Sequence, residues 1–171
     1  MHANEPTGAP GAYTALLAFI EGSGAACSIL NHAPARTIDD AREKLDFDIT
    51  RIIKTIAFAL RDKTLVLAAL RGTRRVDYAK LAALAGVNRR DISALSPAEV
   101  EARLGVAPGG VSPVLPKALG LAGVLVFMDA DALSIAPTAY CGLGRPDRTL
   151  EMAPQGLTTL CGARTGDFSK G

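Results

Sequence analysis

Residues 51–70 read Arg-Ile-Ile-Lys-Thr-Ile-Ala-Phe-Ala-Leu-Arg-Asp-Lys-Thr-Leu-Val-Leu-Ala-Ala-Leu. Arg51 to Leu60 is rich in Ile, Thr and Phe, side chains that suit a pleated, half-buried surface. Thr64 to Leu70 is a second apolar run of strand length. Arg61-Asp62-Lys63 between them reads as a tight turn, so the stretch predicts a β-hairpin. A strand alternates its side chains, so Lys54 shares a face with Ile52, Ile56 and Phe58. An ammonium among apolar side chains either snorkels to solvent or serves chemistry, and both readings stand at this point.

Upstream of the hairpin, Tyr13 to Glu21 has helical spacing, with Leu16, Leu17 and Ile20 on one side. Ala26 to Leu30 predicts a short strand leading into His32 and Pro34. Thr37-Ile-Asp-Asp40 opens a capped helix to about Leu45. Downstream, Arg71-Gly-Thr-Arg-Arg75 is a basic turn, and Asp77 caps a helix through Ala85. Ser96-Pro97-Ala-Glu99 carries an N-cap serine, a proline at N1 and a glutamate at N3, opening a helix to Leu104. Val124 to Met128, Ala136 to Cys141, Thr149 to Met152 and Ala163 to Gly166 predict strands, and Pro154 to Leu160 a helix. Asp129 and Asp131 read as turn carboxylates at a strand end. Residues 1–10 read as a loose tail. The order mixes hairpins with helices and contains no repeat or linker. It predicts one α+β domain over residues 11–171, a mixed barrel-like sheet surrounded by helices.

The segment 105–116, Gly-Val-Ala-Pro-Gly-Gly-Val-Ser-Pro-Val-Leu-Pro, is fixed by covalent geometry. Pro108, Pro113 and Pro116 lock φ and donate no N–H. Gly109 and Gly110 can take positive φ and leave amides open. The loop is either a structural corner or a cradle of N–H groups for an oxyanion.

Composition bounds the chemistry. The chain has 171 residues, 49% hydrophobic and 21% charged, enough for one core without disulfides. Aromatics are 5% and Trp is absent, which argues against base-stacking platforms. Net charge is only +2, but residues 36–90 hold thirteen Lys/Arg against seven Asp/Glu, while the rest of the chain holds six against ten. That asymmetry is either ordinary solvated charge or a basic face for a phosphate-bearing partner. Cys27, Cys141 and Cys161 form no Cys-x-x-Cys pair and only His2 and His32 accompany them, so no metal site is expected. The cysteines read as reduced and buried. No signal segment or membrane-length apolar run is visible, so a soluble, cytoplasmic protein without membrane contact is expected.

The familiar catalytic patterns are missing: no dinucleotide or phosphate-loop glycine motif and no Gly-x-Ser-x-Gly elbow. No cofactor is implied. Gly142-Leu-Gly144 reads as a turn. What remains is one strand lysine, one glycine-proline loop, one histidine and local positive charge. Such a site has no evident nucleophile, so catalysis rests on donors, a cation and a positioned water or substrate group.

In this order the residues resemble the YbaK/ProX family of aminoacyl-tRNA deacylases and the related editing domain of bacterial prolyl-tRNA synthetases. The resemblance runs from about residue 14 to the C-terminus. It is carried by Leu30-Asn-His32, Thr37-Ile-Asp-Asp-Ala41, Arg51-Ile-Ile-Lys54-Thr-Ile-Ala-Phe58, Arg75-Val-Asp77 to Lys80-Leu81, Ser96-Pro-Ala-Glu-Val100, Leu104-Gly105 and Gly109-Gly-Val-Ser-Pro113, which matches a Gly-x-x-x-Pro motif. It implies hydrolysis of mischarged aminoacyl-tRNA in trans, with the acceptor end of tRNA as partner and prolyl-tRNA synthetase as a further one. It implies that Lys54 engages the tRNA 3′ end or the carbonyl, and that the amides from Gly109 and Gly110 to Ser112 hold the carbonyl oxygen. Thr55, Val111, Ser112, Pro113 and His32 would then line the aminoacyl pocket, His32 as a structural or rim residue. Arg51, Arg71, Arg74 and Arg75 would meet tRNA. Lys54-Thr55 looks more like the Cys-tRNA(Pro) deacylases than the alanyl group, which often has Asn after the lysine. An Ala-tRNA(Pro) or other small-residue deacylase, or a non-catalytic module that binds tRNA or a synthetase, is the alternative.

Overall fold

The structure, a computed structural model, describes residues 11–171; the predicted tail over 1–10 lies outside the described residues. The chain runs α1 (Ala12–Ser23), β1 (Ser28–Asn31), α2 (Ile38–Lys44), β2 (Ile52–Leu60), β3 (Leu65–Arg71), β4 (Arg75–Val76), α3 (Tyr78–Leu84) and β5 (Ile92–Ala94). It continues through α4 (Pro97–Leu104), α5 (Leu115–Leu119), β6 (Leu125–Asp129), β7 (Ala139–Gly142), β8 (Arg148–Met152), α6 (Pro154–Cys161), β9 (Arg164–Gly166) and β10 (Ser169–Lys170). The fold is α+β with a mixed sheet, as the sequence predicts. The main sheet has eight strands in the order β1-β8-β7-β2-β3-β6-β9, with β5 also on β2. Among the described strands no ladder joins β1 to β9.

The 51–70 hairpin forms the centre of this sheet. β2 and β3 pair antiparallel from Ile53↔Arg71 to Ala59↔Leu65. β3 is apolar and buried along nearly its whole length because both of its faces are covered. Leu65, Leu67 and Ala69 face a large core with α1, α4, α5 and α6. Val66, Ala68 and Leu70 face a smaller one with Phe58, Leu81 and Phe168.

Local signals explain the helix starts. Ser96 Oγ accepts from Glu99 N–H at 3.2 Å and Glu99 Oε1 accepts from Ser96 N–H at 3.1 Å, a complete capping box. Thr37 caps α2 through Asp40 N–H at 3.0 Å, but the Asp40 carboxylate reaches back to Arg36 N–H rather than to Thr37. Asp77 caps α3 through Lys80 N–H.

Several elements escape sequence reading. β4 and β10 form a separate two-stranded ribbon. β5 and α5 are short and appear only as additions to a formed core. Asp129 is no turn carboxylate: it is buried and accepts Phe168 N–H at 2.9 Å, Ser169 N–H at 3.2 Å and Ser169 Oγ–H at 2.5 Å. No described helix is long and apolar enough to cross a membrane.

Candidate active site

The site begins with a gap in β2. On one edge β2 is paired with β3 throughout. On the other, β7 pairs in parallel only as far as Ile53↔Cys141, and β5 begins only at Phe58↔Ala94. Residues 54–56 therefore have no strand partner on that edge. Ile52 O accepts Gly72 N–H on the β3 side and Ala57 O accepts Leu95 N–H on the other. That parity turns the Thr55 N–H and C=O toward the gap.

A cavity of about 290 Å³ fills the gap. Ile52, Ile53, Lys54, Thr55 and Ile56 form its strand wall, Pro108, Gly109 and Val111 its loop wall, and α2 with Phe47 covers it. The size falls at the lower end of small-molecule pockets, about 300–1,000 Å³. Lys54 lies on the face shared with Phe58, and among the described residues no carboxylate pairs with it. Partial burial lowers its pKa below the ordinary lysine value, and the nearby Arg75 charge lowers it further. Thr55 is 7% exposed, and its hydroxyl has no hydrogen-bond partner among the described residues. A buried hydroxyl left unmatched costs roughly 1–3 kcal/mol.

A stack of rings edges the cavity. Phe47 lies flat on Tyr140 with centroids 4.5 Å apart, His32 meets Phe47 edge-on at 5.5 Å, and the Arg51 guanidinium covers Tyr140 at 4.6 Å. His32 Nδ1 donates to Ala33 O at 2.7 Å, since a carbonyl only accepts. Its Nε2 is held by Thr149 Oγ1 at 2.7 Å. Both ring nitrogens are thus engaged, which makes His32 a rim residue rather than a free base.

A model of the aminoacyl-tRNA editing domain family matches residues 32–160. The chain belongs to this family. Among solved structures, the editing domain resembles a protein described only as hypothetical, at TM-score 0.80 and 25% identity, covering 91% of this chain and 99% of that one. A scaffold used for computational epitope grafting matches at TM-score 0.76 and 26% identity, covering 95% of this chain and 99% of that one. A structure described as a candidate trans-editing enzyme for prolyl-tRNA synthetase matches at TM-score 0.76 and 22% identity, covering 96% of this chain and all of that one. The last likeness concerns fold. No curated protein matches the chain.

The editing domain brings Lys54, Thr55, Gly109, Val111 and His32 to one cavity. The glycine loop differs from expectation. Gly109 and Gly110 do not take positive φ; they fold into a 3-10 turn with Pro108. A Cβ on Gly109 would meet Arg36 O at 2.3 Å, and one on Gly110 would meet the Gly144 backbone at 3.2 Å. These glycines allow close approach of backbones rather than an unusual turn. Two of the supposed cradle amides are already used: Gly110 N–H donates to Ala107 O at 2.8 Å and Val111 N–H to Pro108 O at 3.3 Å. Ser112 and Pro113 sit behind the wall, fully or nearly buried, with Ser112 Oγ accepting Val114 N–H. Gly142 is likewise a packing position, where a Cβ would meet Val111 O at 2.8 Å, whereas Gly144 takes a left-handed φ of 83° and its N–H donates to Gly110 O.

Three of the four arginines expected to meet tRNA are tied into the fold. Arg51 pairs with Glu151 at 3.3 Å and donates to Thr138 O. Arg71 pairs with Asp131 at 2.9 Å and also donates to Thr50 O and Ser134 Oγ. Arg74 donates to Ser169 Oγ at 2.7 Å. Arg75 is exposed and, among the described residues, has no ion-pair partner. Sequence reading also missed Phe47 and Tyr140, whose only prior signal was aromatic character in an aromatic-poor chain. Cys141 and Cys161 are buried, whereas Cys27 is partly exposed, contrary to expectation. Burial pushes the Cys141 thiol, on the cavity wall, up to about 12 and the Cys161 thiol up to about 11. Neither is a ready nucleophile.

Proposed function

We propose that this editing domain is a trans-acting deacylase that hydrolyses the ester between a small amino acid and the 3′ ribose of tRNA, with Cys-tRNA(Pro) as its leading substrate. The carrying observation is Lys54, a single cation on an apolar strand, at the wall of a small cavity where β2 loses its partner. Ester attack develops negative charge on the carbonyl oxygen, and preorganised donors lower that barrier. Lys54 Nζ and the gap-facing Thr55 N–H are the donors assigned here. This replaces the glycine amides, two of which are spent within their own turn.

The cavity presents no activated side-chain nucleophile, which favours attack from the substrate. In a cysteinyl ester the substrate thiol attacks its own carbonyl: a C–S bond forms, the ester C–O bond breaks, and the thiol proton goes to the departing 3′ oxygen. Water then opens the cyclic thioester to free cysteine. An alanyl ester has no such group and requires a bound water. The experiment is deacylation of Cys-, Ala- and Ser-charged tRNA(Pro) by wild type and Lys54→Ala. Turnover by wild type, fastest on the cysteinyl ester and lost in the variant, is expected. No turnover on any charged tRNA, or equal rates for both proteins, overturns the reading.

A further inference from the structure

The β4–β10 ribbon has no part in the chemistry above, yet the fold takes trouble to hold it. Its register sets Arg75 directly opposite Lys170 and Val76 opposite Ser169. Val76 and Ser169 turn inward, at 6% and 3% exposure, so Arg75 and Lys170 share the outer face. Two like charges directly opposite each other destabilise a strand pair, and a two-stranded ribbon is marginal by itself. The ribbon is kept in place from below. Asp129 takes three hydrogen bonds from Phe168 and Ser169, Arg74 donates to Ser169 Oγ, and Asp77 N–H donates to Phe168 O at 2.7 Å.

The carboxylates on these elements are committed elsewhere. Asp77 caps α3, Asp129 holds β10, Asp131 pairs with Arg71, and Asp167 pairs with Lys80 at 3.2 Å. Among the described residues neither Arg75 nor Lys170 has an acidic partner. The ribbon therefore holds a repulsive, unneutralised pair on a rigid base. It lies on the same side of the sheet as Lys54: Val76 and Phe168 pack in the core of Phe58, whose face Lys54 shares. The Arg75 charge is felt at Lys54.

We propose that Arg75 and Lys170 form a phosphate-binding pair that takes the backbone of the single-stranded 3′ end of tRNA and leads it to Lys54. The identity of the RNA rests on the deacylase reading; the anion-binding pair does not. The test is binding of uncharged tRNA(Pro), and of an acceptor hairpin with and without its terminal CCA, across a salt series. The proteins are wild type, Arg75→Ala/Lys170→Ala and, as a charge control at the far end of the hairpin, Arg103→Ala. Each phosphate contact with a single strand contributes about 0.7 to the logarithmic salt slope, so the double variant should lose about 1.4 and bind on the order of tenfold more weakly. The difference should vanish on the hairpin lacking CCA, and Arg103→Ala should bind as wild type does. An unchanged slope, an equal loss in Arg103→Ala, an undiminished effect without CCA, or no tRNA binding by wild type overturns the proposal. Binding as expected without deacylation would instead remove the enzymatic reading and leave this one standing.

Discussion

The two halves of β2 are built to different ends. From Ala57 to Leu60 the strand has neighbours on both edges and packs Phe58, with no exposed surface, into the smaller core. From Lys54 to Ile56, among the described residues, one edge has no strand partner, a cation stands among apolar residues, and Thr55 buries a hydroxyl without a partner. The first half obeys every rule of a stable strand. The second breaks several within three residues, and such a concentration of broken rules is where a binding site is to be sought.

Substitutions can break this contrast. Phe58→Ala, in the paired half, should cost about 3–5 kcal/mol and lower Tm by roughly 10 °C or more. A shift of only a degree or two would mean the halves do not differ in structural weight. Lys54→Met should do the opposite: deacylation falls about 10²–10³-fold, the usual loss for one charge-stabilising donor, while Tm holds or rises slightly. A Lys54 variant that unfolds would make the lysine structural. Gly109→Ala drives a Cβ into the Arg36 carbonyl, so the loop wall must shift, at about 1–3 kcal/mol of stability and with a raised KM. Wild-type thermodynamics and kinetics in that variant would show that the wall yields freely.

The last two effects are smaller. Cys141 stands where β7 leaves β2, and its thiol stays protonated in the fold up to about 12 against an ordinary value of 9.0. A folded pKa raised by burial means the unfolded chain loses its proton first. Stability is therefore intact below pH 9 and declines by up to about 1.4 kcal/mol per pH unit as pH rises toward the folded value. Denaturation at pH 8 and pH 10 should show a smaller decline in Cys141→Ala than in wild type; equal declines would place the thiol in water. Thr55→Val removes an unmatched hydroxyl at constant shape, so Tm should rise by a few degrees, equivalent to about 1 kcal/mol. A fall in Tm would reveal a partner for the hydroxyl inside the fold.

Local features of this chain were legible. The β2–β3 hairpin, the Ser96 capping box and the Asp77 cap depend on residues within a few positions of one another. The gap in β2 was not, because it depends on where β7 and β5 stop, and those strands arrive from distant parts of the chain. The same holds for the arginines. Arg51 and Arg71 read as free cations until Glu151 and Asp131 close on them. Lys54 stood out from periodicity, but the chemical role proposed for it came from family resemblance. Gly109 was noticed for the right residue type and the wrong physical reason: its constraint is close backbone contact with Arg36, not a dihedral angle.

That contact sets a limit on how this pocket can be altered. The wall at Gly109 abuts main chain, and main chain has no side chain to trim or enlarge. The cavity can therefore be resized only at its other lining side chains, among them Ile53, Thr55 and Cys141 on the strands, Val111 on the loop and Phe47 over the top. Differences in what such a cavity admits should be recorded at those side chains while Gly109 stays fixed, like a caliper with one jaw welded.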